Sequence, residues 1–420
     1  MKYRHRVLFL LILLFAITYI DRVCISVAGP RMQEELHIDP VRWGWVTAMF
    51  TLSYALFEIP TGTLGDRIGA RRVLTRVVLW WSAFTSLTGR MTNYYFLLMT
   101  RLCFGAGEAG AFPNASIVIA RWFPATQRAR IPAIILMASQ IGGAAAPLVV
   151  LPIQIRYGWH ASFYMFGVVG VVWAVVWYSW FRDSPSEMPG VSPTERNEVS
   201  PATAHSHSFP WRIAFQSGNL LAMLVTAFSY VYVYSFFQTW FHTFLVRGRG
   251  FSEESLILSA LPFVIAAGGN LAGGIVSDFM VRRLGLKWGR RSLGIMGLGS
   301  ACVFTIATMV TRQQMLTVVF LSLVYGLIAF QQSGVFAVCL DIGNKQAGAI
   351  VGLMNTAANI GALLSSVAYG YIVDYFHSYD APFVPMAALL LLGTILWFKV
   401  DASRELSVEA AVAADAVLTR

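Results

Sequence analysis

The chain alternates long apolar runs with short polar breaks over nearly its whole length. The runs cover residues 7–28, 43–64, 73–90, 94–119, 130–152 and 161–181. After a polar stretch they resume over 214–245, 254–280, 290–310, 314–340, 347–374 and 381–400. An α-helix needs about 20 mostly apolar residues to cross the hydrocarbon core of a bilayer. The pattern therefore predicts an all-α integral membrane protein with twelve transmembrane helices. These spans leave no room for a large soluble domain. The basic stretch Met1–Arg6 before an apolar run has the outline of a signal peptide. Asp21 and Arg22 interrupt that run and no small-residue cleavage site follows, so a retained first helix is expected.

Composition agrees with this pattern. Hydrophobic residues make up 57% of the chain and charged residues 12%, against about 25% charged in soluble domains. Disorder, a collagen-like chain and an ordinary cytosolic enzyme are excluded. A net charge of +10 would suggest nucleic-acid binding in a soluble protein. Here its location decides. With the N-terminus in the cytoplasm, most of the 31 Lys and Arg fall on the cytoplasmic side. The positive-inside rule then predicts a multi-pass cell (inner) membrane protein with both termini cytoplasmic, and no nucleic-acid partner. The four Cys lie in separate apolar runs without a CxxC pair, so neither a disulfide framework nor a metal site is indicated. No nucleophile–base constellation points to an enzyme.

Residues 183–210 are rich in Ser, Pro and charge and read as a cytoplasmic linker. They separate a first half, 1–182, from a second, 211–400, with a cytoplasmic tail over 401–420. His205 and His207 in the linker have no third ligand nearby and read as solvated. The halves share a pattern. Gly62-Thr63-Leu64-Gly65-Asp66-Arg67-Ile68-Gly69-Ala70-Arg71-Arg72 follows the second run, and Gly274-Ile275-Val276-Ser277-Asp278 with a basic cluster follows the eighth. Internal repeats of this kind mark many transporters. The Gly residues let helices approach closely, and the Asp ends a helix where it can pair with Arg. Gly62, Asp66, Arg67, Gly69, Arg71, Arg72 and Asp278 are the candidate gating residues. This stretch resembles the loop between helices 2 and 3 of the major facilitator superfamily. The resemblance covers nearly the whole chain and implies two pseudo-symmetric six-helix bundles.

Charges inside the runs carry the candidate chemistry. Asp21, Arg22, Arg101 and Glu108 lie within spans, and Glu58 lies towards the end of one. Each charge at a helix centre costs about 2.5–3.5 kcal/mol on an insertion scale. They should face a polar cavity and neutralise one another. Arg101 and Glu108 are two turns apart on one helix face, and Tyr54 and Glu58 are one turn apart on another. A structural role is an ion pair between helices. A functional role is an Arg that binds an anion beside carboxylates that carry protons, since Arg offers a planar fork suited to a carboxylate. The second half has no such charge deep in a span. Its polar candidates are Gln238, Asn270, Gln331, Gln332, Asn355, Asn359 and Ser365. Neutral amides suit hydroxyl groups, though they also hold helices together.

Tyr19-Ile20-Asp21-Arg22, the segment Arg101–Asn114, and Gly352-Leu353-Met354-Asn355-Thr356-Ala357-Ala358-Asn359-Ile360-Gly361 resemble the anion:cation symporter branch of the superfamily. That branch includes bacterial galactonate, glucarate and hexuronate transporters and animal sialic acid and vesicular glutamate transporters. The resemblance implies that Arg22 contacts the substrate carboxylate. It also implies that Asp21 and Glu108 take protons with Arg101 coupled to them, and that Tyr54, Gln140 and Asn359 line the site. Gln238 and Asn355 join them as candidate substrate residues. Glu58 departs from the neutral residue of the family and is a candidate third proton site.

The expected function is proton-coupled import of an organic anion, a sugar acid such as a hexonate, hexarate or hexuronate, by alternating access. No cofactor is expected beyond the proton gradient. The expected partners are the anion, protons and the bilayer, for a protein acting as a monomer. Two alternatives stay open. One is an exporter or facilitator of another anion, such as a siderophore, peptide or aromatic acid. The other is a non-transporting membrane receptor.

Three motifs are set aside. Gly105-x-Gly107-x-x-Gly110 lacks the strand–turn–helix context of a dinucleotide site and reads as close helix packing. Asn114-Ala115-Ser116 matches a glycosylation acceptor inside a span. His37, His160, His242 and His377 lie at span ends or in loops and read as interfacial.

Overall fold

The computed structural model describes residues 2–124, 130–193, 195, 217–252, 254–343 and 347–404, without the side chains of Asp66, Arg130, Glu254, Ala347 and Ala349. Linker residues 196–210, which include His205 and His207, and tail residues 405–420 lie outside the described residues. Among those described, helices dominate and no strand occurs.

The first seven helices are α1 (Tyr3–Glu35), α2 (Pro40–Ile68), α3 (Ala70–Thr88), α4 (Tyr94–Glu108), α5 (Ala111–Trp122), α6 (Arg130–Tyr157) and α7 (Trp159–Trp180). Their starts follow local rules. The backbone N–H groups of Tyr3 and Arg4 donate to the Glu195 carboxylate at 3.2 and 2.9 Å. A linker carboxylate thus satisfies two of the donors that open every helix. Asp39 caps α2 by accepting from the Arg42 N–H at 2.7 Å, with Pro40 at the first position. Asn93 caps α4 through the Tyr95 N–H at 2.8 Å. Gly69, at φ +90°, makes the corner between α2 and α3 that a residue with a Cβ would strain to form.

After the linker come α8 (Gly218–Thr239), the single turn α9 (Phe241–Thr243), a π-helical turn at Phe244–Gly248 and a 3₁₀ segment at Glu254–Ala260. Then follow α10 (Leu261–Val310), α11 (Gln314–Gly343), α12 (Ala347–Phe376) and α13 (Phe383–Trp397). Eight helical stretches among the described residues are long and apolar enough to cross a membrane. One of them, Ser255–Val310, has 56 residues. Straight, it would extend about 84 Å, against a hydrocarbon core of about 30 Å. It breaks at Gly285, φ +76°. Two apolar runs differ from their simple reading. The run 94–119 loosens at Ala109–Gly110 while keeping helical backbone angles, and the run 214–245 is distorted at Trp240, φ −115°.

The chain divides into two compact units. The first comprises Met1–Ala204, Phe237–Val264 and Ser366–Tyr379; the second comprises His205–Phe236, Ile265–Ser365 and Asp380–Arg420. In the first, Trp173, Trp177 and Phe181 stack in series with centroids 5.1 and 3.9 Å apart. The Trp173 indole N–H donates to the Leu10 carbonyl at 3.0 Å, fixing α7 to α1. In the second, Asp401 is a buried hub beyond α13. Asn219 and the Asp401 backbone exchange two hydrogen bonds of 2.8 Å, and Lys287 pairs with the carboxylate at 3.1 Å. Burial opposes ionisation of Asp401, but hydrogen bonds from Ser403 and Lys287 outweigh it. Its carboxyl is held below the usual carboxylate range.

Candidate functional site

Five of the singled-out residues meet in the first unit, on α1, α2 and α4. Arg22 of α1 donates from Nε to Oε1 of Glu108, the last residue of α4. Glu108 is fully buried and Arg101 and Asp21 nearly so. At Gly105 a Cβ would lie 2.3 Å from the Phe50 carbonyl oxygen, so α4 approaches α2 backbone to backbone. That contact places Phe50 beside both cations. The Arg22 guanidinium lies 5.2 Å from the Phe50 ring centroid and that of Arg101 lies 5.3 Å from it. Arg22 is also 4.8 Å from Tyr54 and 5.4 Å from Tyr19, and Arg101 is 4.4 Å from Phe104. Aromatic faces attract guanidinium groups without neutralising them. Both Args therefore keep charge available for another partner.

The pairing is incomplete. Neither carboxylate oxygen of Asp21, nor Oε2 of Glu108, nor Nε of Arg101 has a hydrogen-bond partner among the described residues. Unpaired buried polar groups are costly and mark sites that await a proton, water or ligand. Glu58 is half-buried one turn from Tyr54. Gln140 is buried on α6, the helix that packs along α1. Gln238 is half-buried at the end of α8 with its amide nitrogen unpartnered among the described residues. Asn355 and Asn359 lie half-buried one turn apart on α12, in the second unit.

Of the repeated motif, Gly62 packs against Pro113 of α5 and Gly69 forms the corner described above. The Arg71 N–H donates to Asp183 Oδ1 at 2.9 Å, and its side chain bonds the Tyr178 carbonyl over the Tyr178 ring. Arg121 stands 3.9 Å from the same Asp183. Arg67 and Arg72 are exposed, and the Asp66 side chain lies outside what is described. In the second copy Asp278 is exposed and its carbonyl accepts from Arg282. Arg290 bridges Ser277, at 2.6 Å, and Asp341, at 3.0 Å.

The family model described as Major Facilitator Superfamily matches residues 11–342 and 279–419. The chain belongs to the Major Facilitator Superfamily. It is a multi-pass membrane transporter, not an enzyme. Among curated relatives it is 32% identical to a probable sulfoacetate transporter of Cupriavidus necator, over 94% of this chain and 93% of that one. It is 28% identical to the hexuronate transporter of Bacillus subtilis, over 93% and 92%. Among solved structures it resembles an inward-facing, unoccupied bacterial homologue of the human lysosomal transporter Spinster. The TM-score is 0.77 at 19% identity, covering 96% and 97% of the two chains. That likeness shows the fold. The relatives place the chain among the superfamily's organic anion transporters.

Within that superfamily member, sequence reading overlooks several polar residues. Asp183 counts as the first residue of the linker, yet it anchors the start of α3. Asp341 ends an apolar run and escapes notice. The clearest departure is His242, which is read as interfacial but is fully buried. Its Nδ1 and Nε2 lie 2.9 and 2.8 Å from the hydroxyls of Ser26 and Ser259. Position near a span end says nothing about packing, and only the Ser and His identities hint at it. His37 and His377 are exposed at positive φ, and His160 stacks on Trp159 beside Glu35.

Proposed function

We propose that the protein imports an organic anion by proton symport, working by alternating access through twelve spans in two six-helix bundles. A sugar acid is the proposed substrate class, and both termini lie in the cytoplasm. The observation that carries this reading is the buried set of Arg22, Arg101, Glu108 and Asp21. Arg22 already holds one carboxylate, that of Glu108. A substrate carboxylate can replace it and can engage the planar guanidinium fork. Glu108 is then left without its cation, and a buried carboxylate in that position is held cheaply only when neutral. Anion binding and proton uptake are thereby linked. Asp21, with no donor to its oxygens among the described residues, is the second proton carrier. The loaded site closes with little net charge, and release towards the cytoplasm restores the Arg22–Glu108 pair.

The sulfoacetate relative favours a second reading, a short sulfonate-bearing carboxylate carried by the same residues. A thermal-shift panel of hexuronates, hexarates and sulfoacetate separates the two. Proteoliposomes test the coupling. Glu108→Gln should retain counterflow of the stabilising anion and lose accumulation driven by a pH gradient by tenfold or more. Gradient-driven uptake equal to wild type would sink the proton role.

A further inference from the structure

One face of α1 runs on from the charge cluster. Arg22, Ser26, Gly29 and Gln33 recur at spacings of four, three and four, which keeps them on one side of a helix. Above Arg22 this face meets the stretch 240–260 of the same unit. Ser26 and Ser259 bond the two ring nitrogens of His242. Thr243 packs over Gly29, and the Gln33 amide donates to the Thr243 hydroxyl at 3.0 Å. Arg247 donates to Gln33 Oε1 at 3.3 Å. Ser26, His242, Thr243 and Ser259 are fully buried and Gln33 nearly so.

Both partners are built to bend at this point. Pro30 lies inside α1, so the carbonyl of Ser26 loses its helical donor. On the other side Trp240, at φ −115°, separates α8 from α9, and the helix then loosens into the π-turn Phe244–Gly248. Breaks and π-turns of this kind concentrate at functional sites. A purely structural contact would not need two soft points facing each other. Serine hydroxyls suit a releasable contact. Each can donate or accept, so either neutral imidazole tautomer is satisfied. Once the segments part, water replaces every bond at little cost.

We propose that His242 is the closing pin of a gate. The stretch 240–252 swings on Trp240, and the Ser26–His242–Ser259 bridge holds it shut against the helix face that carries Arg22 and against Ser259. His242 is a positioning residue and touches no substrate. The proposal rests on the transport reading for its purpose, and on the geometry of one unit for its existence. With the termini cytoplasmic, this is the outer gate. Breaking the Arg22–Glu108 pair one turn below Ser26 would then shift the helix that carries half of the pin.

Spin labels at Glu34→Cys and Ser252→Cys, both exposed, read the gate in the full chain in nanodiscs. A Cys103→Ser background serves, because Cys24, Cys302 and Cys339 are buried. Wild type should show a dominant short distance. His242→Ala should lower the closed-to-open ratio about tenfold, and Ser26→Ala or Ser259→Ala about threefold each, in line with one or two lost hydrogen bonds. In flux assays the His242 variant should show a lower KM from the outside and a lower maximal rate. A population shift produces that split and general damage does not. An unchanged distance distribution in folded His242→Ala overturns the pin. If that variant does not fold, unchanged distributions in both serine variants overturn it. A chain that moves no anion in any variant, wild type included, overturns the transport reading and leaves the distances to decide the gate.

Discussion

The two units of the chain handle charge in opposite ways. The first keeps Asp21, Arg22, Arg101 and Glu108 inside, held by one ion pair and a group of aromatic rings. The second places its ion pairs at helix ends: Lys287 with Asp401, Arg290 with Asp341, and Arg312 with Asp380. Its interior polar groups include hydroxyls and amides, among them the half-buried Asn355 and Asn359 and the fully buried Gln331. Charge at a helix end is cheap and stabilises modestly. Charge in the interior is expensive and persists where it is used. The contrast supports the proposed division, with anion and proton chemistry in the first unit and hydroxyl recognition in the second.

Substitutions can break this contrast, starting with the largest effect. Arg22→Ala should weaken anion affinity by about 100-fold, the scale of a lost charge-assisted pair. Arg22→Lys should restore only part of it, because an ammonium lacks the fork. Calorimetry or thermal shift in detergent reads both, and normal affinity in the Ala variant would end the carboxylate contact. Asn359→Ala should cost about five- to tenfold in affinity for a polyhydroxy acid, one neutral hydrogen bond, and leave sulfoacetate unaffected. An equal loss for both ligands would make Asn359 a packing residue.

The smallest effect concerns an edge. Asp401→Asn should lower Tm by about 2 °C and leave transport unchanged. The sign with pH follows from the lowered Asp401 pKa. Its contribution is complete above the ordinary carboxylate range and fades as pH falls through the folded-state value. The Tm gap between wild type and variant should be constant from pH 5 to 8 and narrow below about pH 4. A gap that widens in acid would contradict the assignment.

The helices are legible in the sequence because an apolar run of membrane length has few other readings. The charged residues are legible for the same reason: nothing else in those runs is expensive. Pairing is harder to read. Spacing puts Arg101 and Glu108 on one helix face, but the bonded partner of Glu108 is Arg22, 86 positions away. Such a contact depends on which helices meet, α1 and α4 here, and run length cannot report that. The distortions at Ala109–Gly110 and Trp240 are conformational and leave composition unchanged. His242 is missed because proximity to a span end resembles exposure.

The loosening after Glu108 has a mechanical consequence. A continuous helix is a stiff rod, and turning one side chain in its middle means turning its neighbours too. The segment from Tyr94 to Trp122 stays helical throughout but loosens at Ala109–Gly110, where ψ of Gly110 is −7°, next to Glu108. A glycine inside a helix gives the backbone more local freedom than a residue with a Cβ. The carboxylate can exchange one partner for another through a small local rotation while Arg101, two turns back, stays anchored against Phe104.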